Sequence, residues 1–236
     1  MKDFLLLEEI RRNERQSHEE VYTTNSLYQP GSWLSKPVKT VLELFPYFEG
    51  RRNLRVLDLG CGVGRNCIAI AQHFCDADCK IDCVDILDLA VEKLLKNAAL
   101  FGVAESITGI IRPIDNYRIP EEYYDWILAI SALEHMDSHT SFVGKLSEIR
   151  DGLKENGIVC LIINSGTEER LISTGEKVPV NFEVNFQTSE LQELLNSVFA
   201  DFRILKSTVR RQNYEVPRGS EQCALCSDVV TFVAQK

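Results

Sequence analysis

The sequence predicts an α/β fold built on a mostly parallel sheet. Residues 54–59 form a short apolar run of strand-forming residues that contains one acid, Asp58, and a turn with three glycines follows it. An apolar helical pattern then runs over residues 66–74. A buried strand, a glycine turn and a helix in this order form a nucleotide-type binding corner, because the turn exposes bare backbone and the helix start offers free N–H groups.

Composition and charge exclude several classes of protein. The chain has 236 residues, which is enough for one α/β domain with a full core, and its 44% hydrophobic and 26% charged residues are typical of globular proteins. A net charge of −9 provides no basic surface to neutralise phosphates, so no nucleic-acid partner is expected. Charged residues directly follow the apolar residues 5–7, and the longest apolar runs are too short to span a bilayer. We therefore expect a cytoplasmic protein without a membrane partner.

Before the glycine turn, the sequence predicts a helix, then an irregular segment and then a second helix. Residues 1–27 are polar with apolar positions at helical spacing, and an irregular segment over residues 22–35 contains Pro30, Gly31 and Trp33. Residues 36–47 have the apolar spacing of an amphipathic helix.

A second strand is predicted over residues 80–84, followed by Asp85, Ile86 and a helix over residues 88–101. Asp85 follows Gly64 by about 20 residues, which is the interval at which an acid after a glycine turn binds a ribose. A carboxylate suits that role because its oxygens can accept hydrogen bonds from both ribose hydroxyls.

The remaining elements complete a sheet and end in a hairpin. Strands are predicted over residues 107–114 and 124–130, with helices over 140–153 and 188–198 and an insertion over 178–186. Residues 152–164 are interpreted as a turn that leads into a fifth strand. Two alternating strands, residues 202–210 and 229–234, close the chain, with Cys223 and Cys226 in the loop between them.

Two further features leave alternatives open. The chain has eight cysteines, of which Cys223 and Cys226 have C-x-x-C spacing; free thiols are the default without a second ligand pair, and a redox or metal-linked pair at the hairpin tip is the alternative. A basic stretch in the same region is either a solvated edge or a site for an anionic substrate. Its residues are Arg203, Lys206, Arg210, Arg211 and Arg218.

The turn D-L-G-C-G-V-G, residues 58–64, resembles motif I of the class I S-adenosylmethionine (SAM) dependent methyltransferases. Its G-x-G-x-G spacing differs from the G-x-G-x-x-G of dinucleotide enzymes. The resemblance continues in order through the ribose acid, an acid at Asp115, the S-A-L-E-H-M sequence after the fourth strand and the terminal hairpin. G-C-G-V-G-R-N, residues 60–66, also resembles the tellurite-resistance and thiopurine-type small-molecule branch.

The resemblance implies a Rossmann-like class I methyltransferase fold, in which a mostly parallel seven-stranded sheet ends in a C-terminal antiparallel hairpin and an N-terminal helical lid covers the site. Residues 1–35 would form the helix and lid segment, and residues 36–236 the SAM-dependent methyltransferase domain. Asp115 would accept from the adenine amino group, and Trp33 would cover the cofactor. The implied cofactor-binding residues are Trp33, Asp58, Gly60, Cys61, Gly62, Gly64, Asn66, Asp85, Ile86, Asp115, Asn116 and Ser131.

The expected activity is transfer of a methyl group from SAM to an acceptor, which leaves S-adenosylhomocysteine (SAH), with a small molecule expected as the acceptor. If the acceptor must lose a proton, His135 is the candidate general base, because an imidazole titrates near neutral pH, and Glu134 is the weaker candidate. No metal is expected. The alternatives are a protein methyltransferase and a non-catalytic SAM-binding regulator, while the glycine spacing disfavours an NAD(P)-dependent enzyme. The sequence leaves the oligomeric state and the identity of the acceptor open.

Overall fold

The computed structural model describes residues 2–180, 182–218 and 221–236. Within these ranges the α-helices are α1 (Lys2–Thr24), α2 (Lys39–Glu43), α3 (Cys67–His73), α4 (Asp88–Leu100), α5 (His139–Gly152) and α6 (Thr188–Val198). The strands are β1 (Arg55–Leu59), β2 (Lys80–Asp85), β3 (Ile107–Ile111), β4 (Tyr124–Ile130), β5 (Leu153–Leu171), β6 (Lys177–Val178), β7 (Arg203–Arg218) and β8 (Glu221–Gln235). No helix in the described ranges is long and apolar enough to cross a membrane.

The strands form one mixed sheet in the order β3-β2-β1-β4-β5-β8-β7, and the two-residue β6 pairs with β5. The first five strands are parallel, whereas β8 runs antiparallel to both β5 and β7. The predicted Rossmann-like fold, with a mostly parallel seven-stranded sheet and a C-terminal antiparallel hairpin, is therefore confirmed. The chain leaves β1 in one direction toward β2 and returns on the other side as β4, so the loops after β1 and β4 open a crevice at the carboxyl ends of the strands.

The sheet has a hydrophobic core on each face. Alternate residues of β1 supply both cores: Val56 packs with Ile68 of α3, and Leu57 packs on the opposite side with Leu146 of α5 and Leu191 of α6. This arrangement holds β1 rigid, and with it the start of the glycine turn.

The predicted amphipathic helix over residues 36–47 is wrong in extent. The α-helix covers only Lys39–Glu43, and a separate 3-10 turn covers Phe45–Tyr47. Pro46 explains the break, because proline lacks a backbone N–H and disfavours the α conformation at the residue before it.

The prediction that Cys223 and Cys226 lie in a loop is also wrong. Both lie within β8, where Cys223 pairs with Val216 and Cys226 with Asn213 of β7. Ser227 and Asp228 interrupt the apolar pattern directly before residues 229–234, so that pattern ends although the strand continues through Cys226 and Cys223. Both cysteines are free thiols, and no group of three His, Cys, Asp or Glu side chains in the described ranges could hold a metal ion.

Candidate functional site

A cavity of about 1290 Å3 lies at the carboxyl ends of β1, β2 and β4. It is walled by α1, the glycine turn, the loops after β2, β3 and β4, and one face of the long strands β5, β8 and β7. Its volume exceeds the roughly 300–1,000 Å3 of common small-ligand pockets, so it has room for two ligands side by side.

Two glycines bring bare backbone to the cavity. Gly60 has a φ of +74°, and a Cβ added there would lie 2.3 Å from the Cβ of Ala132. Gly62 has a φ of +53°, and its Cβ would lie 2.8 Å from the hydroxyl of Tyr22 on α1. A side chain at either position would both strain the backbone and overlap a neighbour, so the turn requires glycine.

Asp85 lies at the end of β2 directly beside the glycine turn. Its Oδ2 accepts from the Gly62 N–H at 2.8 Å and its Oδ1 from the Leu87 N–H at 2.9 Å. Burial raises the pKa of Asp85, and these two hydrogen bonds oppose that rise. Each carboxylate oxygen retains acceptor capacity, so the group can accept hydroxyl protons from a ligand in the cavity.

The next two loops form a shelf beside Asp85. Ile86 leaves half of its surface exposed, at 50%, on the cavity wall. Asp115 and Asn116 line the cavity from a 3-10 turn over Ile114–Asn116, where Asp115 Oδ1 accepts from the Asp137 N–H at 3.2 Å. An exposed apolar side chain beside polar acceptors can accommodate a flat heteroaromatic group.

Three other predicted site residues also line the cavity. Ser131, at the end of β4, has a φ of +50°, and its N–H donates to the Ile162 carbonyl at 2.7 Å. Burial raises the pKa of the Cys61 thiol to about 12, so the thiol stays neutral. Asn66 accepts from the Val38 N–H at 3.0 Å and thereby holds the segment before β1.

Asp58 and Gly64 do not line the cavity but support the turn from behind. Asp58 is 1% exposed, and its Oδ2 has no hydrogen-bond partner among the described residues. Burial raises the pKa of Asp58 to about 7. A Cβ on Gly64 would lie 2.7 Å from Leu94 and 2.8 Å from Ile68, so this glycine allows α3 and α4 to pack closely.

Helix α1 covers one side of the cavity. Arg11, Arg15, His18 and Tyr22 all line it, and their spacing of four, three and four residues places them on one helical face. Trp33 lies against this stripe, with its ring centroid 6.0 Å from that of Tyr22. The apolar spacing of the sequence predicts the helix but not this stripe, because the residues of the stripe are polar or aromatic.

A cation lies next to Trp33. The Arg65 guanidinium carbon lies 4.9 Å from the Trp33 ring centroid, and its Nη1 donates to the Trp33 carbonyl at 2.9 Å. Arg65 lines the cavity directly after the glycine turn. The sequence prediction did not include this residue, although its position after the third glycine is visible in the sequence.

His135 lines the cavity from a 3-10 turn over Leu133–His135. Its Nδ1 lies 3.0 Å from Oε2 of Glu183, whose side chain is 3% exposed, and Glu183 Oε1 lies 3.5 Å from Nε of Arg11 on α1. Glu183 belongs to the segment between β6 and α6, and no local pattern marks it. Glu134 instead is buried behind the cavity wall, where its Oε1 accepts from the Asn164 amide at 2.5 Å and burial raises its pKa.

Comparison with known proteins identifies the domain. Residues 56–157 match a family model described as a methyltransferase domain. A stretch of 92 residues is 32% identical to a protein of Papaver bracteatum named probable (S)-tetrahydroprotoberberine N-methyltransferase 2. That match covers 39% of this chain and 25% of the relative, so the similarity spans a quarter of the relative's length.

Solved structures share the fold over most of the chain. TehB from Haemophilus influenzae superposes with a TM-score of 0.60 at 16% identity, over 84% of this chain and 62% of TehB. The 1,6-didemethyltoxoflavin-N1-methyltransferase of Burkholderia thailandensis, solved with 1,6-didemethyltoxoflavin and SAH, superposes with a TM-score of 0.59 at 19% identity, over 98% of this chain and 87% of that one. Identities this low show the fold alone. Residues 56–157 therefore match a methyltransferase domain, and the sheet that contains them has the strand order of the Rossmann-like class I SAM-dependent methyltransferase fold.

Proposed function

We propose that this protein transfers a methyl group from SAM to a small-molecule acceptor, with residues 36–236 as the catalytic domain and residues 1–35 as its lid. The observation that carries the proposal is the position of Asp85, whose buried carboxylate accepts from the Gly62 N–H at the edge of a cavity that also contains His135. A ribose acid, bare glycine backbone and a candidate base therefore share one enclosure.

The cavity residues fit the parts of SAM by chemistry. Asp85 would accept from the ribose hydroxyls, and Asp115 from the adenine amino group, while Ile86 would contact the adenine face. The backbone of the glycine turn, with Ser131, would border the methionine part. Arg65 supplies a cation close to that turn, complementary to the methionine carboxylate.

SAM, when bound, supplies an electrophilic methyl group on a sulfonium, so that transfer leaves SAH. The protein must then align the acceptor and hold any proton it releases. With His135 Nδ1 donating to the Glu183 carboxylate, Nε2 carries the lone pair, and it can take that proton while the acceptor's electron pair forms the new bond to carbon. Helix α1 covers the cavity from the other side and limits access of water.

Three observations support a small acceptor. The cavity is enclosed on several sides, which suits a small molecule better than an extended protein segment. The relatives in Papaver bracteatum and Burkholderia thailandensis are both named for small-molecule N-methylation. The G-C-G-V-G-R-N sequence of residues 60–66 supports the proposal that this chain belongs to the tellurite-resistance and thiopurine-type small-molecule branch.

Calorimetric titration with SAM, SAH and NAD tests the cofactor. We expect SAM and SAH to bind and NAD not to bind, and Asp85→Asn to weaken SAH binding by about tenfold or more, the value of a lost charge-assisted hydrogen bond. Asp76→Asn is the matched control, because Asp76 is an exposed acid outside the cavity. Binding of NAD alone would contradict the proposal. SAH formation in a screen of small acceptors then separates an enzyme from a non-catalytic SAM-binding protein.

A further inference from the structure

One wall of the cavity is formed by the strands that extend beyond the core. We call it the hairpin wall. Its residues face the cavity in two cross-strand rows, Ile162–Thr231–Thr208 and Asn164–Val229–Arg210, each with one residue from β5, one from β8 and one from β7. Since adjacent residues in such a row lie on the same face of the sheet, each row presents its side chains together to the cavity.

Arg210 differs from three of the other basic residues of β7, and the fourth, Arg203, donates to Gln235 Oε1 at the far end of the strand. Lys206 pairs with Glu43 at 2.8 Å, Arg211 with Asp228 at 3.0 Å and Arg218 with Glu169 at 2.7 Å. Arg210 is exposed on the cavity side, and no described carboxylate lies within ion-pair distance of it. Its guanidinium is therefore available to a ligand, whereas the neighbouring charges are already neutralised.

The row through Arg210 and the candidate base His135 line the same cavity. Asn164, at the other end of the row, donates to Glu134, the residue directly before His135. Two strand spacings separate Asn164 from Arg210, roughly 10 Å between backbones. Val229 lies between them and offers an apolar surface. The cavity thus combines an apolar surface at Val229, the guanidinium of Arg210 next to it and the imidazole of His135 on another part of its lining.

We propose that the methyl acceptor is a small aromatic acid whose carboxylate pairs with Arg210, whose ring lies on Val229 and whose nucleophilic atom faces His135. A guanidinium suits this role because it binds a carboxylate through two parallel hydrogen bonds. The inference rests on the proposed function, since it assigns the substrate class of the same cavity.

The test compares 4-hydroxybenzoate with 4-hydroxybenzamide, which differ in charge but little in shape. Binding of each to the SAH complex of the full chain is measured by calorimetry. We expect the acid to bind about tenfold tighter than the amide or more, as a charge-assisted bidentate pair allows, and Arg210→Ala to abolish that preference. Arg210→Lys retains the positive charge but not the two parallel N–H donors of the guanidinium. It should therefore keep only part of the preference for the acid over the amide.

Arg211→Ala is the matched control. Arg211 is adjacent in sequence but points to the opposite face of the strand, where it pairs with Asp228, so its loss should leave the preference for the acid intact. SAH affinity should be equal in all variants. Equal affinity for acid and amide, a preference that survives Arg210→Ala, or no binding of the acid up to about 10 mM would each overturn the inference. Failure of the wild type to bind SAH would instead refute the proposed function, and the same acid and amide titrated against the SAH-free protein would still test the hairpin wall.

Discussion

His135 Nδ1 lies 3.0 Å from Glu183 Oε2, and the same carboxylate lies 3.5 Å from Arg11 of the covering helix α1. The Glu183 side chain is 3% exposed, so its charge is screened little by water. One buried carboxylate therefore fixes the orientation of the candidate base and also contacts α1, the proposed lid. This arrangement makes Glu183 a positioning residue, which acts through His135.

The first prediction concerns this pair. His135→Asn should lower kcat by about 10²–10⁴-fold for an acceptor that must lose a proton, because the other imidazole that lines the cavity, His18, packs against Tyr22 and Trp33 instead. Glu183→Gln should lower kcat less, by about tenfold or more, because an amide can still orient the ring but does not stabilise the imidazolium. Both variants should bind SAH as the wild type does. The measurement is the rate of SAH formation, with calorimetry for binding.

A second histidine–glutamate pair provides the control. His73 Nε2 lies 2.7 Å from Glu49 Oε1, at an exposed site that does not line the cavity. His73→Asn and Glu49→Gln should leave kcat unchanged. Turnover by His135→Asn at the wild-type rate would show that the acceptor needs no base, or that His135 is not the base.

The second prediction concerns Gly60. Gly60→Ala must accommodate both a φ of +74° and a Cβ 2.3 Å from that of Ala132, so it should destabilise the fold and abolish SAH binding. Gly50→Ala isolates the backbone contribution, because Gly50 has a φ of +75° and no atom within 4 Å of the added Cβ. Gly50→Ala should cost about 1–2 kcal/mol, and Gly60→Ala clearly more, by urea denaturation.

A double variant checks the cause of that difference. Ala132→Gly removes the methyl group that overlaps, so Gly60→Ala with Ala132→Gly should recover stability relative to Gly60→Ala alone. Without such recovery, the steric explanation of this glycine would be wrong.

The sequence predicted the sheet better than it predicted the site. Strands β1, β2 and β4 are buried on both faces, and such strands are recognisable as continuous apolar runs; the predicted bounds of β4, residues 124–130, coincide with those observed. Helix α6 was likewise predicted at its observed bounds, Thr188–Val198. Local apolar patterns are sufficient to predict the bounds of a strand or helix that faces the core.

The site depends on contacts between distant parts of the chain. Glu183 meets His135 across 48 residues, in a segment without regular structure, so no period or motif marks it. Asp58 belongs to the glycine motif, yet it lies behind the cavity because the alternation of β1 turns its side chain away from it. The role of Asp58 and Gly64 as cofactor contacts stays a prediction, and their placement indicates support of the turn.

The third prediction concerns the lid. Arg11 pairs with Asp137 as well as Glu183, and it is 42% exposed, so Arg11→Ala should weaken SAH binding by no more than about fivefold. Backbone amides of α1 should exchange faster with deuterium in this variant. Arg12→Ala, an exposed change on the same helix outside the cavity, is the control and should have neither effect. If α1 exchanges equally in both variants, these ion pairs do not hold the lid.

The fourth prediction concerns the pH dependence of stability. Burial raises the pKa of Asp58 from 3.8 to about 7 in the folded protein, while the unfolded chain has the ordinary value. Between these two values the folded state binds the extra proton, so the contribution of Asp58 to stability is complete below pH 4 and is lost as the pH rises through 7.

Asp58→Asn removes this titration. Its free energy of unfolding relative to wild type should therefore rise by about 1.4 kcal/mol for each pH unit between 5 and 7, and then level off. Urea denaturation at pH 5, 6, 7 and 8 measures this, with Asp76→Asn as the exposed control that should parallel wild type. A parallel curve for Asp58→Asn as well would show that this carboxyl is already ionised in the folded protein at pH 5.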